Sequence, residues 1–474
     1  MQERRQVEHN PIWGWDAYKY SHPYFINPLV SEMSAYGEPR KDTQGWGEYV
    51  LFGLQAFLYN QMLFRVTRDH VEKGAVRAKR LGEPYAYGDL MRIVEVHNGY
   101  LPVEIQAIPE GLPVPFRTPA YQVVNTDTKL PWVASFIETK LLRAVWYPST
   151  VATLSRSVKK RLARALDETA DNRDFLMWML HDFGGRGVSS EQSAEIGGGA
   201  HLVNFQGTDT TEALPWLEVF YDEPNGGNSV PAAEHSTIQS FGGPEHEIEA
   251  FEHALDNVLS KPGTIASVVS DTFDLYNAVS NLWGDKLASK VRKLEEIGSK
   301  LVIRPDSGDP TKVPLDVITL LMDKFGYTHT KTGHKLLPSY LGVIQGDGMN
   351  INTIDQLHTN AKLAGLSSQN IVVGMGGGLL QSVTRDTMGW AQKISARKVG
   401  DGEWEDLFKD PKTDPGKRSK PGRQAVYFDK KDGVYKAGLE RDVLPGDNIL
   451  RPVYLNGEVY SNLTLAQVRE NAKV

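Results

Sequence analysis

An α/β architecture is expected for this 474-residue chain: an irregular (βα) barrel of about seven parallel strands, residues 151–395, inserted into a discontinuous β-rich (α+β) domain formed by residues 1–150 and 396–474. Two patterns carry the expectation. Seven short apolar runs between Met177 and Gly378 each end in polar or glycine residues, and nearly every end is followed by an amphipathic segment. Strand then helix, repeated, makes a parallel sheet. Outside that region the chain shows period-2 alternation and hairpin turn pairs, the marks of antiparallel strands.

In chain order, Leu101, Val103, Ile105 and Ala107 alternate with Pro102, Glu104 and Gln106, and a turn at Gly111 and Pro113 follows. The barrel runs are Met177–Leu180, Leu202–Phe205, Val230–Ala233, Ile265–Val269, Leu301–Ile303, Leu341–Ile344 and Ile371–Val373. Their ends are His181-Asp182-Phe183, Thr208-Asp209, Glu234-His235, Asp271 with Asp274, Arg304-Pro305-Asp306, Gly346-Asp347 and Gly376-Gly377-Gly378. Strand C-termini of such a barrel converge on one face, so these ends should gather around one substrate. Ile248, Phe251, Leu255 and Val258 make one helical stripe; Ile354, Leu357, Ala361 and Ala364 make another, stopped by Gly365. Pro314 suits a first helical turn. A helix is also expected from the glycines at 376–378 to near Lys393. Beyond it, Val399–Arg423 reads as a long loop crowded by Lys409, Lys412, Lys417, Arg418, Lys420 and Arg423, either a solvated connector or a flap over an anionic ligand. Asp432-Gly433 and Asn456-Gly457 sit between apolar runs as hairpin turns.

Composition narrows the classes. A hydrophobic share of 40% with 23% charged residues is ordinary for a soluble globular protein, and no apolar run approaches a membrane span. The opening Met1-Gln2-Glu3-Arg4-Arg5 lacks the apolar core of a signal peptide, so a cytoplasmic protein is expected. A net charge of −7 argues against nucleic-acid binding by bulk electrostatics. Without cysteine there is no disulfide, thiolate catalysis or cysteine-bound metal, and any metal should be a hard ion such as Mg2+ brought in on phosphate.

The strand ends hold chemically suggestive groups, each with a structural alternative. Gly374-Met375-Gly376-Gly377-Gly378 before a helix can cradle a phosphate on backbone N–H groups, or can be a plain turn. Arg304 and Asp306 pair a forked cation with a carboxylate that suits ribose hydroxyls, or form an internal ion pair. Asp209, followed by Glu212, has the spacing of a helix N-cap. His235 sits among small residues and could be a base, a phosphoryl acceptor or a structural histidine. Phe183 beside Arg186 offers a flat apolar face, with three glycines nearby, or is a core aromatic.

Ordered motifs across nearly the whole chain resemble the nicotinamide phosphoribosyltransferases of the type II phosphoribosyltransferase family: HDFGGRGVSSEQSA from His181, HLVNFQGTDT from His201, SVPAAEHSTI from Ser229, SVVSDTFDLYNA from Ser267, LVIRPDSGDP from Leu301, VIQGDGMNINT from Val343 and GMGGGLLQSVTRD from Gly374. DAYKYSH from Asp16 and KDPKTDPGKRSK from Lys409 are similar more weakly. The resemblance implies phosphoribosyl transfer from phosphoribosyl pyrophosphate to nicotinamide, in a homodimer whose active site lies at the subunit interface. It implies that Phe183, Arg186, Asp209 and Ser270 hold nicotinamide, with Tyr18 supplied by the second subunit. Arg304, Asp306, Gly346 and Asp347 match ribose and phosphate contacts, and Gly376 and Gly377 the 5'-phosphate amides. Arg40, Arg385, Lys393, Lys409 and His235 match pyrophosphate contacts. His235 also matches the histidine that ATP phosphorylates, which makes ATP a co-substrate; Asp274 and Asp306 are the carboxylates nearest in kind to magnesium ligands. The sister activity on nicotinate and a non-catalytic protein on the same scaffold are the alternatives.

Overall fold

The computed structural model describes residues 7–413 and 418–474. Lys417 of the basic loop and the segment Met1–Arg5 lie outside the described residues. The chain forms two compact units: one of Met1–Thr153, Val219–Asp222 and Thr384–Ala472, the other of Leu154–Glu218, Glu223–Val383 and Lys473–Val474. The chain thus returns to the first unit at Thr384, earlier than the expected 396.

The first unit is built on a seven-stranded sheet in the order Glu405–Asp406, Trp390–Val399, Val30–Pro39, Tyr121–Asn125, Val103–Ala107, Arg451–Leu455, Glu458–Val459. Every neighbouring pair is antiparallel. Val103, Ile105 and Ala107 are buried while Glu104 and Gln106 are half-buried, the alternation expected from sequence. Asn456 and Gly457 both take positive φ and turn the last hairpin. The other expected hairpin, Gln424–Asp429 with Val434–Leu439, forms a separate ribbon. Lys393 stands in the strand Trp390–Val399, paired with Tyr36, and not at the end of a helix: the helix after the glycines covers only Gly377–Leu380. The fully buried Glu110 accepts from Gln55 N–H and Tyr221 Oη, both at 2.8 Å, which explains why the short segment Val219–Asp222 belongs to this unit.

The second unit holds a six-stranded, all-parallel sheet in the order Gly207–Thr208, Leu180–Asp182, Ile371–Met375, Leu341–Gln345, Lys300–Arg304, Ile265–Val269. Four of the apolar runs are these strands, and their interiors are almost wholly buried, as parallel strands between layers should be. Two runs differ. Leu202–Phe205 is the buried end of the helix Glu191–His201 and the turn after it; the strand comes two residues later. Val230–Ala233 is no strand: Pro231 lacks the N–H a ladder needs, and only single parallel bridges, Gly207 with Asn228 and Ala232 with Ser267, join this stretch to the two edge strands. The helices Glu247–Ala254, Val313–Phe325 and Ile351–Leu363 occupy the expected stripes, and Pro314 lies in the first turn of the second.

Candidate active site

In the second unit the strand ends bring their side chains together as follows. Phe183 follows Leu180–Asp182, and its N–H donates to Met375 O at 3.0 Å. Its ring lies on bare backbone. A Cβ at Gly374 would stand 1.9 Å from Phe183 Cε2, and one at Gly346 would stand 3.2 Å away, so glycine at both positions makes the seat. The Gly346 position is also 3.6 Å from Asp306 Oδ1, and the Gly376 position 3.5 Å from Phe183 O. Gly187, next to exposed Arg186, is 3.5 Å from Gly377 on the same measure. Phe183, Gly346, Asp306, Gly376 and Gly377 therefore share one face, flanked by Asp347, which accepts from Gln345 Nε2 at 3.0 Å through its carbonyl.

Asp209 is exposed and does not cap a helix. The helix there begins only at Ala213, and Thr208 Oγ1 takes the Thr210 N–H at 3.0 Å. The Asp209 carboxylate instead accepts a short hydrogen bond from Ser229 Oγ, leaving it available to a ligand donor. Ser229 also borders an open cavity of about 450 Å³ lined in part by Trp178, His181, Val230, Ser267 and Ile344. Ser267 Oγ is buried there without a partner. Ser270, by contrast, is fully buried; its hydroxyl donates to Val268 O and accepts from Trp283 Nε1, each at 3.1 Å. Its hydroxyl is committed to the interior, and it supports the strand end from beneath.

Arg304 forms only a long ion pair with Asp306, Nε standing 3.9 Å from Oδ1, and among the described residues its Nε has no hydrogen-bond partner. His235 opens the helix His235–Gln239, whose capping box is Glu234 with Thr237. The His235 Nε2 lies 3.1 Å from Asp271 Oδ1. Asp271 Oδ2 accepts from Asp306 N–H at 3.0 Å and from Ser307 Oγ at 2.5 Å. One carboxylate thus fixes both the histidine and the Asp306 loop. Sequence reasoning placed Asp271 at a strand end without a role, because the partner that gives it one lies 36 residues earlier. In the neutral ring, Nε2–H donated to Asp271 leaves the lone pair on Nδ1.

The first unit holds the other cations. Burial lowers the Lys393 amine from its usual range, and the charges of Arg40, Lys409 and Arg385 act in the same direction, so the four stand within electrostatic reach of one another. Arg40 Nε donates to Gly389 O at 3.2 Å, and Arg385 pairs with Asp386 at 3.3 Å. Both ends of the basic loop are tied down: Lys409 N–H donates to Ser419 Oγ, and Lys420 pairs with buried Glu38 while its N–H donates to Tyr36 Oη. Tyr18 is 54% exposed, as a ring offered to another molecule would be.

Among the described residues there is no cluster of three or more histidine, aspartate and glutamate side chains that could hold a metal, and Asp274 Oδ1 is already used to cap Asn277 N–H. No helix of the described residues is long and apolar enough to cross a membrane. The family model for the nicotinate phosphoribosyltransferase (NAPRTase) family matches residues 178–457, the stretch that carries this face. This chain belongs to the nicotinate phosphoribosyltransferase family. A second model, for the N-terminal domain of nicotinamide phosphoribosyltransferase, matches residues 10–105. The chain is 41% identical over 468 residues to a nicotinamide phosphoribosyltransferase of Xanthomonas campestris pv. campestris, covering 98% of each chain. It is 32% identical to one of Acinetobacter baylyi, covering 89% of this chain and 87% of that one. Its fold is similar to that of human nicotinic acid phosphoribosyltransferase, with a TM-score of 0.62 at 16% identity, over 96% of this chain and 92% of that one.

Proposed function

We propose that this enzyme transfers the phosphoribosyl group of phosphoribosyl pyrophosphate to nicotinamide, giving nicotinamide mononucleotide and pyrophosphate. The observation that carries the reading is the pairing of an aromatic ring seated on two glycines with an exposed carboxylate held by one serine hydroxyl. Phe183 stacks on the pyridine ring, with Arg186 beside it. Asp209 accepts from the carboxamide N–H. A carboxylate in that place repels nicotinate, because two like charges facing each other across a bound ring disfavour each other.

The pyridine nitrogen already has its lone pair. It attacks the anomeric carbon as the bond to pyrophosphate breaks, and no proton has to be removed. What needs stabilising is an oxocarbenium-like centre and a departing, highly charged pyrophosphate, and fixed charges do this; removing one well-placed contact typically costs about 3 to 4 kcal/mol. Asp306, Gly346 and Asp347 suit the ribose, Arg304 its phosphate side, and the N–H groups of Gly376 and Gly377 the 5'-phosphate. Arg40, Arg385, Lys393 and Lys409 suit the pyrophosphate. Magnesium would come with the phosphates, neutralising them, with Asp306 the carboxylate at hand.

His235, oriented by Asp271, is the group for ATP coupling. Its Nδ1 attacks the γ-phosphorus, the bond to ADP breaks, and water later cleaves the phosphohistidine. The stretch 228–232, bridged to both sheet edges, closes the barrel as its seventh member. A cytoplasmic homodimer fits the exposed Tyr18, Tyr24, Phe25 and Leu29, which a second copy would cover. The test is incubation of the purified chain with nicotinamide and phosphoribosyl pyrophosphate, with and without ATP. The mononucleotide should form, faster with ATP; no product from nicotinamide, or equal product from nicotinate, would refute the reading.

A further inference from the structure

Asp182 is fully buried, yet among the described residues its carboxylate has no ion pair; Oδ1 accepts from Gly184 N–H at 2.7 Å, and the neighbouring Thr210 hydroxyl also favours its ionised form. Such a group is costly to bury, which asks for a reason. Its position supplies one. It lies between His181 and Phe183 on the strand Leu180–Asp182, so its side chain points away from the ones they direct at the cavity and the ring seat. A Cβ on Gly198 of the helix Glu191–His201 would come within 3.3 Å of Asp182 Oδ2 and 3.1 Å of Thr210 Cγ2. The Asp182 carbonyl accepts from Asp209 N–H at 2.8 Å. One residue thus holds Asp209 through its backbone and the Gly184–Gly187 turn behind Phe183 through its carboxylate.

We propose that Asp182 is a positioning residue for the pyridine pocket, whose ionised carboxylate fixes the turn that carries Phe183 and Arg186 against Asp209 and sharpens the preference for an amide over an acid. This rests on the phosphoribosyl-transfer reading of the same face. The charged groups on the elements packed around Asp182 are Asp209 and Glu212, Arg186 of the turn, and Glu191, Glu195 and His201 of the helix. Burial pushes the Asp182 carboxyl up to about 6, the Gly184 amide and the Thr210 hydroxyl opposing the rise and Asp209 and Glu212 adding to it. As pH falls through that value the carboxylate takes a proton, the Gly184 bond loses its charge assistance, and the turn loosens.

The experiment measures KM for nicotinamide across about pH 5 to 7.5 in the wild type and in Asp182→Asn, which is held in the neutral form. In the wild type KM should rise as pH falls. In the variant it should be about fivefold higher at the upper end and flat, the difference between a charge-assisted and a neutral hydrogen bond. KM for phosphoribosyl pyrophosphate and kcat should stay within about twofold, since Asp182 touches neither substrate. The amide-to-acid preference should fall in the variant. A pH-independent KM in the wild type, which needs no variant to fold, overturns the proposal alone, as does a variant with wild-type KM. A wild type that makes no mononucleotide sinks the functional reading, and this with it.

Discussion

Gly374→Ala tests the seat of Phe183 with one methyl group. The added carbon would stand 1.9, 2.2 and 2.7 Å from Cε2, Cδ2 and Cζ of the ring, well inside contact distance for three atoms at once. The backbone cannot yield, because Gly374 is paired with His181 inside the buried strand Ile371–Met375. The ring must leave. Forcing a methyl into such a site costs about 1 to 3 kcal/mol of stability. Losing the stacked ring removes about 0.5 to 1.5 kcal/mol of binding. That corresponds to a rise in KM for nicotinamide of roughly twofold to just over tenfold, with kcat and KM for phosphoribosyl pyrophosphate little changed. Gly346→Ala places its methyl 3.2 Å from the same ring and should give a smaller effect in the same direction. Steady-state kinetics at saturating phosphoribosyl pyrophosphate, alongside a melting curve, measures both. A folded Gly374→Ala enzyme with unchanged KM for nicotinamide would refute the idea that Phe183 carries the pyridine.

Two further outcomes follow from single groups. Asp209→Asn should lower the amide-to-acid preference by at least about tenfold, the worth of one unit of charge interaction, and a competition assay with an unchanged preference would remove Asp209 from the role of selector. His358, on the helix Ile351–Leu363, is 4% exposed with both ring nitrogens unpartnered, and burial lowers it to about 4. The unfolded chain therefore takes up this proton first, near pH 6.5, and the folded protein should lose up to about 3 kcal/mol as pH falls from there towards 4. His358→Leu should abolish that loss and melt higher than the wild type at about pH 5, and equal acid sensitivity in the two proteins would contradict it.

Where the sequence was readable, one-dimensional pattern and three-dimensional environment coincide. Ile265–Val269, Leu341–Gln345 and Ile371–Met375 are buried on both faces, so their apolar runs are continuous and end where the sheet ends. Leu202–Phe205 has the same composition and is a helix end, since a short buried segment of either kind reads alike. Lys393 fell on the wrong element because its strand is specified by pairing with Val30–Pro39, more than 350 residues away. In the candidate site, residue type at a strand end was enough to raise Phe183, Asp209 and His235 as candidates. It was not enough for Asp271 or Asp182, whose significance lies in what they touch, nor for Ser270, whose hydroxyl is turned inward to Trp283.

The distribution of acid–base groups also bears on the chemistry. The proposed transfer asks for no general base, because the pyridine nitrogen already has its lone pair, so the carboxylate beside the Phe183 seat, Asp306, is left to act as a fixed charge. The well-oriented imidazole is His235, and its orienting carboxylate is shared with the Asp306 loop and not with Asp209 or Phe183. If His235 takes up a phosphoryl group as proposed, the carboxylate it shares with the Asp306 loop would carry that event to Asp306. Phosphorylation at Nδ1 adds negative charge next to Asp271 and would alter its hold on the Asp306 and Ser307 donors. The coupling of ATP to phosphoribosyl transfer would then run through one side chain, Asp271, and through the position of the ribose-binding loop.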